Sequence, residues 1–259
     1  MSSSTSSDIV VHAKHLGKAY QLYARRNDWL KQVVFGWWKS YFKPFWVLRD
    51  IDLQVRRGES IGILGRNGCG KSTLLQVICG MTLPSHGELR VNGRIAPVLA
   101  LGSTFDLEST GRENVMIGGA VLGMRRPEVL AKFDSIVDFA GVGEYIDQPI
   151  KHYSTGMRAR LAFALCAHLE ADILIVDEAL AVGDIAFQRK CMDWIEGFRE
   201  HGTLLFVSHA KADVMRLCRR AIWIDDGRIR EDGKPVEVVR SYARAMETEP
   251  DDMKRFSAV

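Results

Sequence analysis

Gly65 to Ser72 reads GRNGCGKS, with Gly65 and Gly70 bracketing four residues and Lys71-Ser72 directly after. Glycines at 65, 68 and 70 let the backbone turn tightly and aim several N–H groups at one point, where they and a helix N-terminus accommodate a polyphosphate. Lys71 can then reach the outer phosphates and Ser72 can ligate Mg²⁺, the division of labour in the loop G-x-x-x-x-G-K-[ST]. A second chemistry-bearing pair ends the run Ile173 to Glu178, ILIVDE. There Asp177 can hold the Mg²⁺ shell, through water, and Glu178 can polarise an attacking water, the two tasks that phosphoryl transfer sets for carboxylates. Ser208-His209 closes a third apolar run, Thr203 to Val207. A lone histidine there would be structural; behind the two other motifs, His209 belongs at the sheet edge that receives the phosphates. Each motif has a plainer reading, a glycine turn beside a chance lysine or a strand ending in a solvated turn, and their joint presence tells against both.

The elements that must position these residues are legible around them. Ser60 to Leu64 reads as a short buried strand and Thr73 to Ile78 as the first turns of a helix, the context that the phosphate loop requires. ILIVDE is a buried parallel-strand run whose carboxylates emerge at the carboxyl edge of a sheet. Ile9 to Lys14 and Val47 to Val55 look like edge strands, the second alternating apolar and polar in LRDIDLQV. Gly87 to Val98 reads as two short strands with an Asn-Gly turn. Arg112 to Leu122 and Pro127 to Phe139 are helical patterns, the second with proline at its start. YSTGM (Tyr153 to Met157) opens another apolar helix, ARLAFALCAHL. The chain closes with a strand and hairpin with Asp-Gly turns from Ala221 to Glu231, then a helix from Pro235 to Met246.

Trp29 to Trp46, WLKQVVFGWWKSYFKPFW, holds four of the six tryptophans in the chain. On a helix, Trp29, Leu30, Val33, Val34, Trp37, Trp38, Tyr41 and Phe45 form one stripe, Lys31, Lys39, Ser40 and Lys43 fall largely elsewhere, and Pro44 ends the helix. Aromatic stripes usually pack inward, but this one sits in a connection between edge strands, where loops run over the surface. A basic, aromatic, amphipathic segment suits a membrane surface or a membrane partner.

At 259 residues, 47% hydrophobic and 26% charged, the chain can bury one large core or two coupled subdomains. No apolar run is long enough to span a bilayer, and MSSSTSS lacks the basic start and apolar stretch of a signal peptide. Five scattered cysteines without a C-x-x-C pair argue against a disulfide framework or zinc site and point to the cytosol. A net charge of +3 is too weak to mark a nucleic-acid binder.

In order stand GRNGCGKS, YSTGM, ILIVDE, AVGD (Ala181 to Asp184) and Ser208-His209. Together they resemble the ATPase subunit of an ABC transporter over almost the whole chain, from Ile9 to Met246. The phrases STGREN (Ser109 to Asn114), YSTGMRARLAF (Tyr153 to Phe163), VDEALAVGD (Val176 to Asp184) and FQRKC (Phe187 to Cys191) are similar to the branch that exports capsular polysaccharide, O-antigen or teichoic acid, the KpsT/Wzt type. The resemblance implies an α/β P-loop NTPase with a RecA-like core, an antiparallel β-subdomain and an inserted helical subdomain at 103–165. The ATP-binding domain then covers 9–246 with the aromatic insertion at 24–46, between a disordered tail at 1–8 and a C-terminal tail at 247–259. ATP and Mg²⁺ are the implied ligands. Tyr20, or failing it Tyr23, would stack on adenine; Gly65, Arg66, Asn67, Gly68, Cys69, Gly70, Lys71, Ser72 and Thr73 would bind phosphates and Mg²⁺; Asp177, Glu178 and His209 would complete the catalytic set. Ser154, Thr155, Gly156 and Met157 stand in the signature that faces the γ-phosphate of a second copy, and Asp184 in the D-loop. Thr155 and Met157 depart from the glycine and glutamine of LSGGQ, and the Q-loop glutamine has no counterpart in VLALGSTFDLES (Val98 to Ser109).

These readings imply a homodimer of ATPase subunits bound peripherally at the cytoplasmic face of the inner membrane, with a separate polytopic permease, a lipid-linked glycan as substrate and no nucleic acid. A soluble ABC ATPase acting on ribosomes or nucleic acid is the alternative; such proteins usually carry two cassettes or a long coiled coil, and one phosphate loop stands here. A small-molecule kinase would need neither YSTGM nor the terminal histidine.

Overall fold

The computed structural model describes residues 8–23, 25, 29, 33, 37, 42–99, 105–177, 184–208 and 210–248. In chain order the elements are β1 (Ile9–Leu22), β2 (Lys43–Arg56), β3 (Ser60–Leu64), α1 (Lys71–Ile78), β4 (His86–Val91), β5 (Ile95–Val98), α2 (Gly111–Val121), α3 (Arg126–Ala140), α4 (Thr155–Ala167), β6 (Ile173–Val176), α5 (Ile185–Arg199), β7 (Thr203–Val207), α6 (Lys211–Leu217), β8 (Arg220–Asp225), β9 (Arg228–Gly233) and α7 (Pro235–Thr248). They fall into two compact units: Met1–Arg56, Ile63–Asn92 and Arg220–Val259 in the first, Arg57–Gly62 and Gly93–Arg219 in the second.

In the first unit β1 lies between β2 and β4, antiparallel to both. The alternation in LRDIDLQV buries Leu48, Ile51, Leu53 and Val55 and leaves Asp50, Asp52 and Gln54 exposed. β1, expected at an edge, is central, because β4 pairs along its other side with Val91 opposite Val11. β2 also begins earlier than expected: Lys43–Trp46 pair with Leu22–Ala19. Phe45 therefore belongs to a strand and not to the aromatic helix; Pro44 is tolerated there because β2 is an edge strand, where a missing N–H is least costly. β8 and β9 form the expected hairpin, turned by Asp226 and Gly227 at φ 43° and 72°. α7 covers this hairpin with buried Val238 and Val239, and its Tyr242 ring meets Trp223 edge-on at 5.6 Å.

In the second unit β5, β6 and β7 are parallel neighbours in that order. ILIV and TLLFV are buried at every residue, as continuous apolar runs in parallel strands should be. β4 and β5, read as strands joined by a tight turn, do not pair with each other: β4 pairs with β1 and β5 with β6. The connection is shaped instead by Asp172, which accepts from the Arg94 N–H at 2.8 Å. The pair Gly118-Gly119 lets three helices approach, since a Cβ at Gly119 would come within 2.5 Å of Val129 on α3 and one at Gly118 within 2.7 Å of Leu165 on α4. Among the described residues, no helix is long and apolar enough to cross a membrane.

Candidate functional site

β3 delivers the chain to the phosphate loop and α1 carries it away. Gly65 stands at φ 154°, Gly68 at 78° and Gly70 at 108°. A Cβ at Gly65 would lie 2.4 Å from the Ile224 carbonyl oxygen, and one at Gly70 would lie 2.8 Å from that of Val47, so conformation and space both demand glycine. α1 starts from Gly70 with no side-chain cap and no acidic residue in its first turn. The positive end of its dipole thus has no carboxylate of its own to oppose an anion. Lys71 is buried and spans the loop, its Nζ donating to the carbonyls of Gly65 at 2.8 Å and Arg66 at 3.0 Å. Asn67, Gly68 and Ser72 are exposed, while Arg66 and Thr73 are half-buried. Cys69 is buried, and burial pushes its thiol pKa up against the opposing pull of the Lys71 ammonium. A thiol held neutral in this way packs the loop and is no nucleophile. The residues fit a polyphosphate with a divalent cation: a cradle no Cβ could enter, an ammonium at its mouth, and an exposed hydroxyl on the first turn of an uncapped helix.

Tyr20 lies on β1 of the same unit, 39% exposed, with Lys18 Nζ 5.1 Å from its ring centre. Tyr23 donates its hydroxyl to Gln21 at 2.7 Å and meets Phe42 edge-on, so of the two rings Tyr20 offers the more open face. Trp29, Val33 and Trp37, spaced along one stripe of the aromatic segment, are 52%, 75% and 88% exposed. The core reading of that stripe fails for these three residues; the segment's other members up to 41, apart from Arg25, lie outside the described residues.

The second unit holds the other motifs. Asp177 follows β6 directly, its N–H on the Val98 carbonyl at 3.3 Å. Glu178, His209, the AVG of AVGD and residues 100–104 of the missing Q-loop lie outside the described residues. Asp184 caps α5, Oδ1 accepting from the Phe187 N–H at 2.8 Å. Ser154 caps α4, Oγ accepting from the Met157 N–H at 3.1 Å, and a hydroxyl that accepts one bond still has a proton to donate. Ser154 and Thr155 are exposed, Gly156 and Met157 half-buried. Tyr153 anchors this turn: its buried hydroxyl donates to the Tyr145 carbonyl at 2.6 Å, and desolvation pushes its pKa up to about 12.

STGREN proves to be a folding device whose parts sequence reading had not assigned. Thr110 and Glu113 form a reciprocal capping box at the start of α2, with Thr110 Oγ1 accepting from the Glu113 N–H and the Glu113 carboxylate from the Thr110 N–H. Asn114, 1% exposed, donates to the carbonyls of Asp106, Ser109 and Thr110 and accepts from the Asp106 N–H. Arg112 forks onto Asp147 at 2.7 and 3.2 Å. Gly111 leaves room for Tyr153, whose hydroxyl oxygen a Cβ would meet at 2.3 Å. STGREN and YSTGM therefore form one braced structure. The T-x-x-E spacing of the capping box was the signal that could have exposed it.

A family model described as ABC transporter matches residues 48–181, more than half of the chain. The chain is 41% identical over 242 residues to the O-antigen export system ATP-binding protein RfbB of Klebsiella pneumoniae, covering 92% of this chain and 98% of that one. It is 40% identical over 254 residues to the teichoic acids export ATP-binding protein TagH of Listeria monocytogenes serotype 4b, covering 96% and 75%. A solved structure titled "Structure of ATP binding subunit of ABC transporter" matches with TM-score 0.70 at 20% identity, covering 90% of this chain and 93% of that one, a likeness of fold. The P-loop fold read from the motifs is borne out. The chain belongs to the ABC transporter family.

Proposed function

We propose that the chain is the ATP-hydrolysing subunit of a transporter that exports a lipid-linked polysaccharide across the cytoplasmic membrane. Two copies act with a separate polytopic permease at the cytoplasmic face. The observation that carries this reading is the uncapped α1 behind a glycine loop bridged by Lys71, in a chain 41% identical to an O-antigen export ATP-binding protein along 98% of that protein's length. The alternative, a soluble ATPase acting on ribosomes or nucleic acid, has no such support from the relatives.

ATP and Mg²⁺ would supply a transferable phosphoryl group and a Lewis acid to the site. The loop N–H groups bind phosphate oxygens, and Lys71 exchanges its carbonyl partners for the outer phosphates. Ser72 would offer its hydroxyl to the metal, and Asp177 would act on the metal through water. Glu178 would polarise the attacking water and His209 would complete the catalytic set. Ser154 to Met157 present a helix N-terminus to the nucleotide of the other copy. Tyr20 stacks on the base.

Glu178→Gln should keep ATP binding while turnover of the purified protein falls by roughly 10²–10⁴. Near wild-type hydrolysis would remove Glu178 from its role. The intact protein should co-purify with a polytopic subunit from detergent-solubilised membranes; ribosomes in that preparation would favour the alternative. Since Ser154 and Gly156 complete a site only in trans, the Glu178→Gln protein should sediment as a dimer at saturating ATP and Mg²⁺ and as a monomer without them.

The exposed Trp29, Val33 and Trp37 extend the proposal to the membrane interface, where tryptophan rings and lysines suit the headgroup layer and can guide a lipid-linked sugar. Replacing Trp29 and Trp37 by alanine should leave the melting temperature and basal ATPase activity unchanged and reduce glycan export in cells. Unchanged export would rule out the transport role of the segment.

A further inference from the structure

We infer that Met246, in the last turn of α7, is a positioning residue for the phosphate loop, acting through Arg66 on Lys71; the inference rests on the reading of that loop as the ATP site. Arg66 Nε donates to Met246 Sδ at 3.4 Å in a part-buried setting. The carbonyl of the same arginine accepts from Lys71 Nζ at 3.0 Å and from the Cys69 N–H at 3.3 Å. One residue therefore links the end of α7 to the ammonium that meets phosphate.

The tether acts where it has most to restrict. Arg66 directly follows Gly65 at φ 154° and stands two residues before Gly68 at φ 78°, so it lies between two residues of the type with the widest backbone choice before folding. The other end is firmly held. Along α7, Val238 and Val239 are buried, Ser241 Oγ donates to Glu231 Oε1 at 3.3 Å, and the Tyr242 ring sits on Trp223. A thioether is a soft, weak acceptor, which suits a contact that must hold the loop and still let Arg66 shift when Lys71 leaves its carbonyl. Ordering a loop before the ligand arrives lowers the ordering cost of binding. Loss of the tether should accordingly appear in affinity for ATP and not in the rate of the chemical step.

The test uses the full-length protein with Met246→Leu, which keeps apolar bulk without the acceptor, and Met246→Gln, which restores an acceptor oxygen on a side chain of similar length. Loss of one net hydrogen bond corresponds to about a threefold to tenfold rise in Kd and KM for ATP in Met246→Leu, with kcat and melting temperature unchanged. Met246→Gln should return both constants toward wild type. A wild-type Kd in Met246→Leu would overturn the inference, as would a rise that follows a fall in melting temperature and is not rescued by glutamine. Lys71→Ala is the control on the underlying reading. If it binds ATP as well as the wild type does, the loop is not the ATP site; if it binds poorly while Met246→Leu is normal, only the role of Met246 fails.

Discussion

α1 starts from a glycine with no side-chain cap and no carboxylate in its first turn, whereas α4 starts from Ser154, whose Oγ already holds the Met157 N–H at 3.1 Å. Both stretches carry motifs, yet one helix start lacks a side-chain cap and the other supplies its own. α2 and α5 follow the second pattern, with Thr110 and Asp184 as caps. A helix start with neither side-chain cap nor carboxylate leaves the positive end of the dipole open to an anion, as a ligand site requires. A capped end keeps its shape without ligand.

Breaking the uncapped end should have the largest effect. Lys71→Ala removes charge-assisted contacts to phosphate and should weaken ATP binding by on the order of 100-fold, read by calorimetry, with a folded protein by circular dichroism. Retained affinity would remove the loop from its role as the ATP site.

Giving α1 a cap of its own sharpens the contrast. Thr73→Asp places a carboxylate in the first turn, where it should stabilise the ligand-free helix by about 0.3–1 kcal/mol. The same charge repels phosphate, so the melting temperature should hold or rise while ATP affinity falls at least roughly tenfold, the sign and size expected when like charges meet at close range. A falling melting temperature with unchanged affinity would mean that the first turn is not an anion site.

Ser154→Ala and Thr110→Ala should each lose about 1 kcal/mol for a missing cap, or ~2–4 °C in melting temperature at this chain length. Only Ser154→Ala should also depress ATPase activity in the dimer. Equal activities would leave Ser154 as a cap and nothing more.

The smallest expected effect concerns pH. In the second unit, the Arg112 guanidinium bonded to Asp147 holds that carboxyl below its ordinary 3.8, outweighing desolvation. A carboxylate with a lowered folded-state pKa contributes stability above its ordinary pKa and loses it as pH falls through the folded value. In the first unit the reverse holds for His15, raised above 6.5 first by its hydrogen bond to Asp50 and then by the charges of Asp52 and Asp50. Its contribution is full below pH 6.5 and fades as pH rises through the higher folded value. Asp147→Asn should therefore flatten the melting curve's pH dependence below about pH 4, and His15→Gln should flatten it above about pH 6.5. Both groups are exposed, so the shifts should be small; no change in either window would mean that solvent screens these pairs fully.

The sequence by itself determined the loop, the buried parallel strands and the order of the motifs. Those features are local: a left-handed backbone at Gly68 admits little besides glycine, and ILIV can be buried on both faces only as an inner strand. Even the exposure of Trp29, Val33 and Trp37 followed from their place in a connection between strands. Tertiary structure decided what depends on distant partners. β1 became central because β4, more than sixty residues further on, pairs along it, and Phe45 became a strand residue because Tyr20 lies opposite. The brace between STGREN and YSTGM and the link from Met246 through Arg66 to Lys71 join residues whose spacing along the chain carries no periodic signal. Each is specified by packing, and packing is known only once the chain has closed on itself.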